Sequence, residues 1–192
     1  MTYFKRDLTR GANFASGGSG ILDSTGNATY DLYTLGARKF AIIGVPPIGC
    51  CPAERVVNLK LNGSDGCFEQ MNDLARSFYN ATETLLNSFT SQFQGVKYSL
   101  GNAFDLTMTI INNPLVFGIK DVKTACCGNG TLNGEGQCTP LANLCPNREE
   151  YLFWDFVHPT QAVSWLAALT LYGGAQQFVT PMNFSQLAPI DI

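Results

Sequence analysis

Charged side chains are scarce in this sequence. Of its 192 residues, 12 are Lys or Arg and 15 are Asp or Glu, so the formal net charge is −3 and the isoelectric point lies near 5.0. The basic residues are scattered and form no patch that would neutralise phosphates, so nucleic acid is not an expected partner. Hydrophobic residues make up 45% of the chain, which is too apolar for a disordered tail and predicts a packed core.

Long hydrophobic runs are also absent. The longest apolar stretches, residues 40–47 and 163–171, are far shorter than the roughly 20 residues of a membrane-spanning helix, so no transmembrane segment is expected. The residues after Met1 contain neither an apolar segment nor a small-residue cleavage site, so no signal peptide is predicted there. The length suits one domain, and we expect residues 1–192 to form a single one.

Histidine occurs once, at His158, and no C-x-x-C pair is present, so neither a zinc site nor any other cofactor is expected. Cysteine, in contrast, is abundant, and the residues lie in Gly-, Pro- and Asn-rich segments that favour disulfides: Cys50, Cys51, Cys67, Cys126, Cys127, Cys138 and Cys145. A set of buried free thiols is the alternative. Because seven is odd, one thiol has no partner within the chain.

Asparagine sequons point to the same compartment as the cysteines. Asn-x-Ser/Thr occurs five times, at Asn27, Asn62, Asn80, Asn129 and Asn183. A chain of this composition would contain about two by chance. The excess, together with the cysteines, favours the secretory pathway or the extracellular space.

The hydrophobic pattern predicts an α/β protein. A continuous apolar run at Phe40–Val45, stopped by two prolines, is typical of a buried parallel strand. Apolar residues at three- and four-residue steps predict a long helix from Asp65 to Gly95, capped by Ser64 or Asp65. Residues 96–100 predict a second strand and residues 104–111 a short helix. A last helix is expected to begin at His158-Pro159-Thr160 and to end at Gly173-Gly174.

The chemistry-bearing residues stand in the segment FWDFVHPT, residues 153–160. Asp155 and His158 are three residues apart, so one turn brings the carboxylate onto the imidazole, as in the base and orienting acid of a hydrolytic triad. The alternative is that Asp155 caps the following helix and His158 packs beside Trp154.

Four stretches are similar to recurring blocks of the plant GDSL esterase/lipases, a family of the SGNH hydrolase superfamily. They are GANFASGGSGIL, LGARKFAIIGVPPIGCCP, the run beginning KTACCGNG, and FWDFVHPT, in the family's order. The resemblance implies a three-layer, flavodoxin-like α/β fold and an esterase or lipase acting through an acyl-serine. It implies Asp155 as the triad acid, His158 as the base and Gly17, in preference to Gly18, as an oxyanion-hole donor.

Two blocks of the family do not occur in this sequence. It contains no G-D-S, which carries the nucleophile, and no G-x-N-D, which carries the oxyanion-hole Asn. The resemblance therefore implies a truncated form, without a nucleophile, that is weak or inactive on an acyl lipid, a cutin-like polymer or an acetylated polysaccharide. A non-catalytic lipid- or glycan-binding or interaction protein derived from the esterase fold is the alternative.

Other residues are poor substitutes for the missing ones. Ser19 is one residue short of a G-x-S-x-G elbow, Asn102 stands in the wrong part of the chain for the oxyanion hole and suits a strand-end turn, and Cys126 is expected to be bridged. The absent blocks carry central strands of the family's sheet. We therefore predict an incomplete parallel sheet in which the strand at Phe40–Val45 exposes an unpaired edge, with Ile42 and Ile43 poorly covered.

Overall fold

A computed structural model describes Asn13, residues 32–34 and residues 36–191. The chain divides into two compact units, Met1–Ala37 and Arg38–Ile192. Gly17, Gly18 and Ser19 belong to the first unit and lie outside the described residues. The expectation of a single domain stays a prediction.

A three-stranded sheet in the order β1–β2–β7 lies at one side of the second unit. Strands β1 (Lys39–Ile43) and β2 (Lys97–Gly101) are parallel, and β7 (Val179–Thr180) is antiparallel to β2. Parallel neighbours require a long crossover. Here it contains the helices α1 (Pro52–Asn62) and α2 (Glu69–Gln92). The predicted α/β class with parallel pairing is thereby confirmed.

Two smaller sheets follow along the chain. Strand β3 (Asp121–Ala125) pairs in parallel with β6 (Tyr151–Phe153), and β4 (Cys127–Gly128) pairs antiparallel with β5 (Asn143–Leu144). The remaining helices are α3 (Ala103–Asn112), α4 (Gln161–Gly173) and α5 (Phe184–Leu187). Within residues 36–191 the strands therefore form three separate sheets rather than one, and no helix in this part is long and apolar enough to cross a bilayer.

The core that supports the candidate site surrounds β6. Its buried apolar residues come from three elements and the segments between them: Cys51, Ile110, Ile119, Leu152, Phe153 and Val163. A second cluster, Leu86, Tyr98 and Leu100, packs α2 against β2. Because Leu152 and Phe153 are 1% and 5% exposed, the residues that follow them start from a firmly held strand.

The start of the long helix differs from the prediction. Neither Ser64 nor Asp65 caps α2, which begins at Glu69 after Phe68 and ends at Gln92, three residues before Gly95. The segment before it is instead held by tertiary contacts: a disulfide joins Cys50 to Cys67, and the buried Arg55 donates to the Asp65 carbonyl at 3.0 Å. These contacts, and the unforeseen helix α1 that supplies Arg55, displace the start of α2 by one turn.

Among residues 36–191, the first strand has the exposed edge that the sequence predicts. No residue of β1 is fully buried, Ile42 is half-buried and Ile43 is 60% exposed. In the described part of the chain β1 is an outer strand of its sheet, with β2 as its partner. Its outward N–H and C=O groups therefore have no ladder partner there, as in other edge strands.

Hydrogen exchange should separate β1 from β2. Amides of β1 that point away from β2 are expected to exchange on the order of 100-fold faster than the inner amides of β2, which lies between two strands. The measurement is residue-resolved exchange by NMR at neutral pH. Uniform protection of residues 39–45 equal to that of α2 would contradict the edge assignment.

Candidate active site

The candidate site is the turn that follows β6. Trp154 N donates to the His158 carbonyl at 2.8 Å, Phe153 forms an isolated antiparallel bridge with Pro159, and Thr160 N donates to the Leu152 carbonyl at 3.0 Å. The chain thus leaves β6, turns over four residues and returns alongside it. Asp155 and His158 stand at the two ends of this turn.

The Asp155 carboxylate is the organising acceptor of the turn. Its Oδ1 accepts from Val157 N at 2.9 Å and from His158 N at 2.8 Å. Its two oxygens lie 2.9 and 3.0 Å from His158 Nδ1. Because an ionised carboxylate only accepts, Nδ1 carries the proton, and the neutral ring then has its acceptor lone pair at Nε2. The predicted carboxylate–imidazole pair is therefore formed within this turn.

The two members of the pair differ in exposure. The Asp155 side chain is 15% exposed, whereas the His158 side chain is 71% exposed. Burial raises the pKa of Asp155, but hydrogen bonds from the His158 and Val157 N–H groups and from the His158 ring outweigh it, so the pKa lies below its ordinary value. Asp155 is consequently ionised throughout the neutral range, while His158 presents its ring to solvent.

Substituting Asp155 by asparagine should produce a pH-dependent loss of stability. A carboxyl whose pKa is lowered by folding stabilises the folded state above its unfolded pKa of about 3.9, and this contribution disappears as the pH falls through the folded pKa. We expect Asp155→Asn to lower the free energy of unfolding by about 1 to 2 kcal/mol at pH 7 and to have little effect at pH 2. Urea unfolding at both pH values tests this, and an equal loss at both would contradict it.

Two structural elements hold the turn from opposite sides. On one side α1 contributes Ala53 N, which donates to the Phe156 carbonyl at 3.1 Å, and Cys51 Sγ lies 3.6 Å from the Val157 carbonyl. On the other side Cys126 N and Cys127 N donate to the Phe153 and Trp154 carbonyls at 2.9 and 2.7 Å. Neighbouring segments thus hold the backbone of residues 153, 154, 156 and 157 in addition to the bonds made by the Asp155 side chain.

The cysteine-bearing segment itself is held by disulfides. Three bridges join Cys50 to Cys67, Cys126 to Cys145 and Cys127 to Cys138. The expectation of bridged cysteines is confirmed, and the alternative of buried free thiols applies to Cys51 alone. Two clefts border the turn: one of about 370 Å³ is lined by the Cys127–Cys138 bridge and Trp154, and one of about 400 Å³ by α1 residues and Phe156.

Cys51 is expected to be unreactive in the folded protein. Burial, followed by the charge of Glu54, raises the pKa of its thiol to about 11, so the thiolate fraction at pH 8 is very small. Under non-reducing conditions, iodoacetamide should label no thiol of the folded chain over minutes and one thiol per chain after unfolding in guanidinium. Native labelling at the rate of the unfolded chain would contradict the assignment of Cys51 as the buried free cysteine.

The alternatives weighed from the sequence are resolved for three residues. Asn102 lies directly after β2 and caps α3 by accepting from Asp105 N at 2.9 Å, which confirms its strand-end role. Cys126 is bridged to Cys145 and offers no thiolate to His158. The last helix is capped by Thr160, whose side chain accepts from Val163 N at 3.4 Å. Asp155 is therefore not its cap, and the helix does not begin at His158.

The support from α1 was not anticipated from the sequence. Cys51 and Ala53 precede the turn they contact by about a hundred positions, and no local spacing links the two segments. The paired prolines at 46 and 47 indicated where β1 stops, and Pro52 marks the first residue of α1, but neither indicates a partner.

Comparison with known proteins assigns the chain to a family. Residues 24–169, which include the whole turn, match the family described as GDSL-like Lipase/Acylhydrolase. The chain belongs to the GDSL-like lipase/acylhydrolase family. Within the family it is similar to three Arabidopsis thaliana proteins. GDSL esterase/lipase At4g28780 is 36% identical over 160 residues, LTL1 is 34% identical over 171 residues, and GDSL esterase/lipase 6 is 34% identical over 169 residues.

The aligned regions cover most of this chain but less than half of each relative. They include 83%, 89% and 88% of this chain but 43%, 46% and 46% of the three GDSL relatives. The chain therefore spans less than half the length of the relatives it matches.

Proposed function

We propose that this chain carries the acid and base of a GDSL-type ester hydrolase, acting on a small or polymeric carboxylic ester by acyl transfer through a serine. The observation that carries the proposal is the Asp155–His158 pair, with Nδ1 at 2.9 Å from the carboxylate and the imidazole 71% exposed. Gly17 is proposed as an oxyanion-hole donor on the family resemblance, and residues 1–192 as part of one hydrolase domain.

The pair has the arrangement that general base catalysis needs. Asp155 fixes the tautomer, and His158 Nε2 accepts the proton of a serine hydroxyl as its Oγ attacks the ester carbonyl. The imidazolium, stabilised by Asp155, then donates that proton to the departing alcohol. In the second half, water attacks the carbonyl of the acyl-serine as His158 accepts its proton; the bond from the acyl carbon to the serine Oγ then breaks, His158 returns the proton to Oγ, and the acid is released. Asp155 keeps its charge throughout.

The nucleophile is the missing part. The sequence contains no G-D-S and no G-x-N-D, so the 192-residue chain alone is proposed to be catalytically impaired. Without an acyl-serine the covalent route is closed, and the loss of one oxyanion donor removes about 3 kcal/mol of transition-state stabilisation. We expect negligible turnover from the isolated chain.

The experiment compares the isolated chain with a hybrid. In the hybrid, the N-terminal part of LTL1, which is expected to carry the family's G-D-S and G-x-N-D blocks, precedes this chain from the LGARKF stretch onward. The isolated chain should not react with a fluorophosphonate probe, whereas the hybrid should react stoichiometrically and hydrolyse p-nitrophenyl butyrate. Stoichiometric labelling of the isolated chain, or a folded hybrid that does not label, would overturn the proposal.

We also propose that the protein passes through the secretory pathway and is a glycoprotein. The proposal is supported by three disulfides among the described residues, which are typical of proteins in oxidising compartments, and by the five sequons of the sequence. Fractionation of the tissue that expresses it, with an antibody against this chain, tests the location.

A further inference from the structure

The sequon asparagines within the described residues have very different surroundings. Asn62, Asn80 and Asn129 are exposed, whereas Asn183 is 9% exposed and is counted among the buried polar residues. All four satisfy the same Asn-x-Ser/Thr pattern, so the sequence does not distinguish them. The folded structure does.

Asn183 uses its side chain inside the protein. It caps α5, and its Oδ1 accepts from Gln186 N at 3.0 Å and from Ser185 Oγ at 2.8 Å. Its Nδ2 donates to the Gly174 carbonyl at 3.1 Å, which ties α5 to the end of α4. The nitrogen that a sugar would need therefore already donates to the backbone of another element, from a side chain whose residue is 9% exposed.

The other three asparagines stand at open positions. Asn62 is the last residue of α1, before Gly63, whose φ of +70° turns the chain outward. Asn80 lies on the exposed side of α2, between the exposed Ser77 and Thr84. Asn129 follows β4 in the cysteine-bearing segment and forms an isolated bridge with Gly136. Asn62 Nδ2 donates to Oδ1 of Asn58, one turn earlier in the same helix, at 2.8 Å, so a group attached to Asn62 disturbs a contact within α1 and none between separate elements.

We propose that Asn62, Asn80 and Asn129 carry N-linked glycans and that Asn183 carries none. This inference rests on the proposed passage through the secretory pathway. In the reaction, the Asn Nδ2 forms a bond to the anomeric carbon of an oligosaccharide held on a lipid diphosphate. The bond from that carbon to the diphosphate oxygen breaks, and Nδ2 loses one proton to a base of the transferase.

Folding enforces this selection even if transfer precedes it. A chain modified at Asn183 would have to place a sugar where Nδ2 meets the Gly174 carbonyl, so it would lose the contact between α5 and α4. Chains modified at the three open positions lose no hydrogen bond to a distant element. The folded product is therefore enriched in molecules that are unmodified at Asn183.

The test is site mapping on the full chain, expressed behind a cleavable secretion signal in a eukaryotic cell. The protease-resistant, folded protein is treated with peptide N-glycosidase in H₂¹⁸O, which converts each glycosylated asparagine to labelled aspartate. Label is expected at positions 62, 80 and 129 and not at 183; if the chain is retained, its folded microsomal fraction is mapped instead. Label at Asn183, or an unlabelled position among the other three, would overturn the inference.

Variants provide matched controls. Asn62→Gln, Asn80→Gln and Asn129→Gln should each remove the mass of one glycan, whereas Asn183→Gln should leave the glycan mass unchanged and reduce the folded yield. An Asn183→Gln protein that loses a glycan and folds normally would refute the inference. The natural location of the protein is measured separately. If the native protein is intracellular and unmodified while the chain expressed with a secretion signal is glycosylated at the expected positions, the proposed compartment is refuted and the site selection stands.

Discussion

Replacing His158 by alanine in the LTL1 hybrid is expected to lower kcat on p-nitrophenyl butyrate by on the order of 10⁴-fold. Without the imidazole, the serine hydroxyl has no acceptor for its proton during attack, and the departing alcohol has no donor. KM should change little because His158 acts on reacting protons. Since the His158 side chain is 71% exposed, its removal leaves the core intact, and the melting temperature should stay close to that of the parent.

Two further variants make the His158 result specific. Asp155→Asn should lower kcat by a comparable factor. An amide NH₂ group facing Nδ1 favours the tautomer with its proton on Nε2, and a neutral amide no longer stabilises the imidazolium. Gln161→Ala, an exposed substitution in the first turn of α4, is the matched control and should leave kcat unchanged. A His158→Ala hybrid that keeps more than about a tenth of its kcat would exclude this residue as the base.

Removing the Cys126–Cys145 bridge should have the largest effect on stability. The double variant Cys126→Ala/Cys145→Ala opens a closed segment with a sequence separation of 19. On the chain-entropy account, this lowers the free energy of unfolding by about 3 kcal/mol. Cys126 is completely buried, so truncation of its side chain adds the effect of a cavity. Urea unfolding under non-reducing conditions measures the difference.

The same variant connects the disulfide to the candidate site. Cys126 N donates to the Phe153 carbonyl, directly before the Asp155 turn, and Cys145 N donates to the Cys126 carbonyl. Loss of the bridge should therefore make the backbone at Cys126 more mobile and, through its bond to the Phe153 carbonyl, the turn as well. The control is Cys50→Ala/Cys67→Ala, whose separation is 17 and whose entropic loss is nearly the same. An unchanged urea midpoint for the Cys126→Ala/Cys145→Ala protein would contradict a stabilising role.

Features governed by neighbouring residues were predictable. The strand Lys39–Ile43 was visible as the short apolar run Phe40–Val45 ended by prolines, and the helix from Glu69 to Gln92 as a three- to four-residue repeat. Helix starts were less predictable. Ser64 and Asp65 are good caps in isolation, yet contacts of Arg55 and the Cys50–Cys67 bridge place them before the helix.

The pairing of Asp155 with His158 was determined by the sequence itself, since a carboxylate and an imidazole three residues apart need only one turn to meet. The absence of G-D-S and G-x-N-D is likewise a property of the sequence. Tertiary structure alone decided that Cys51 is the unbridged cysteine, that α1 supports the turn, and that Asn183 is buried while three other sequons are open. The physical reason is that these outcomes depend on contacts formed on folding, some between residues up to about a hundred positions apart, and local sequence pattern carries no information about such contacts.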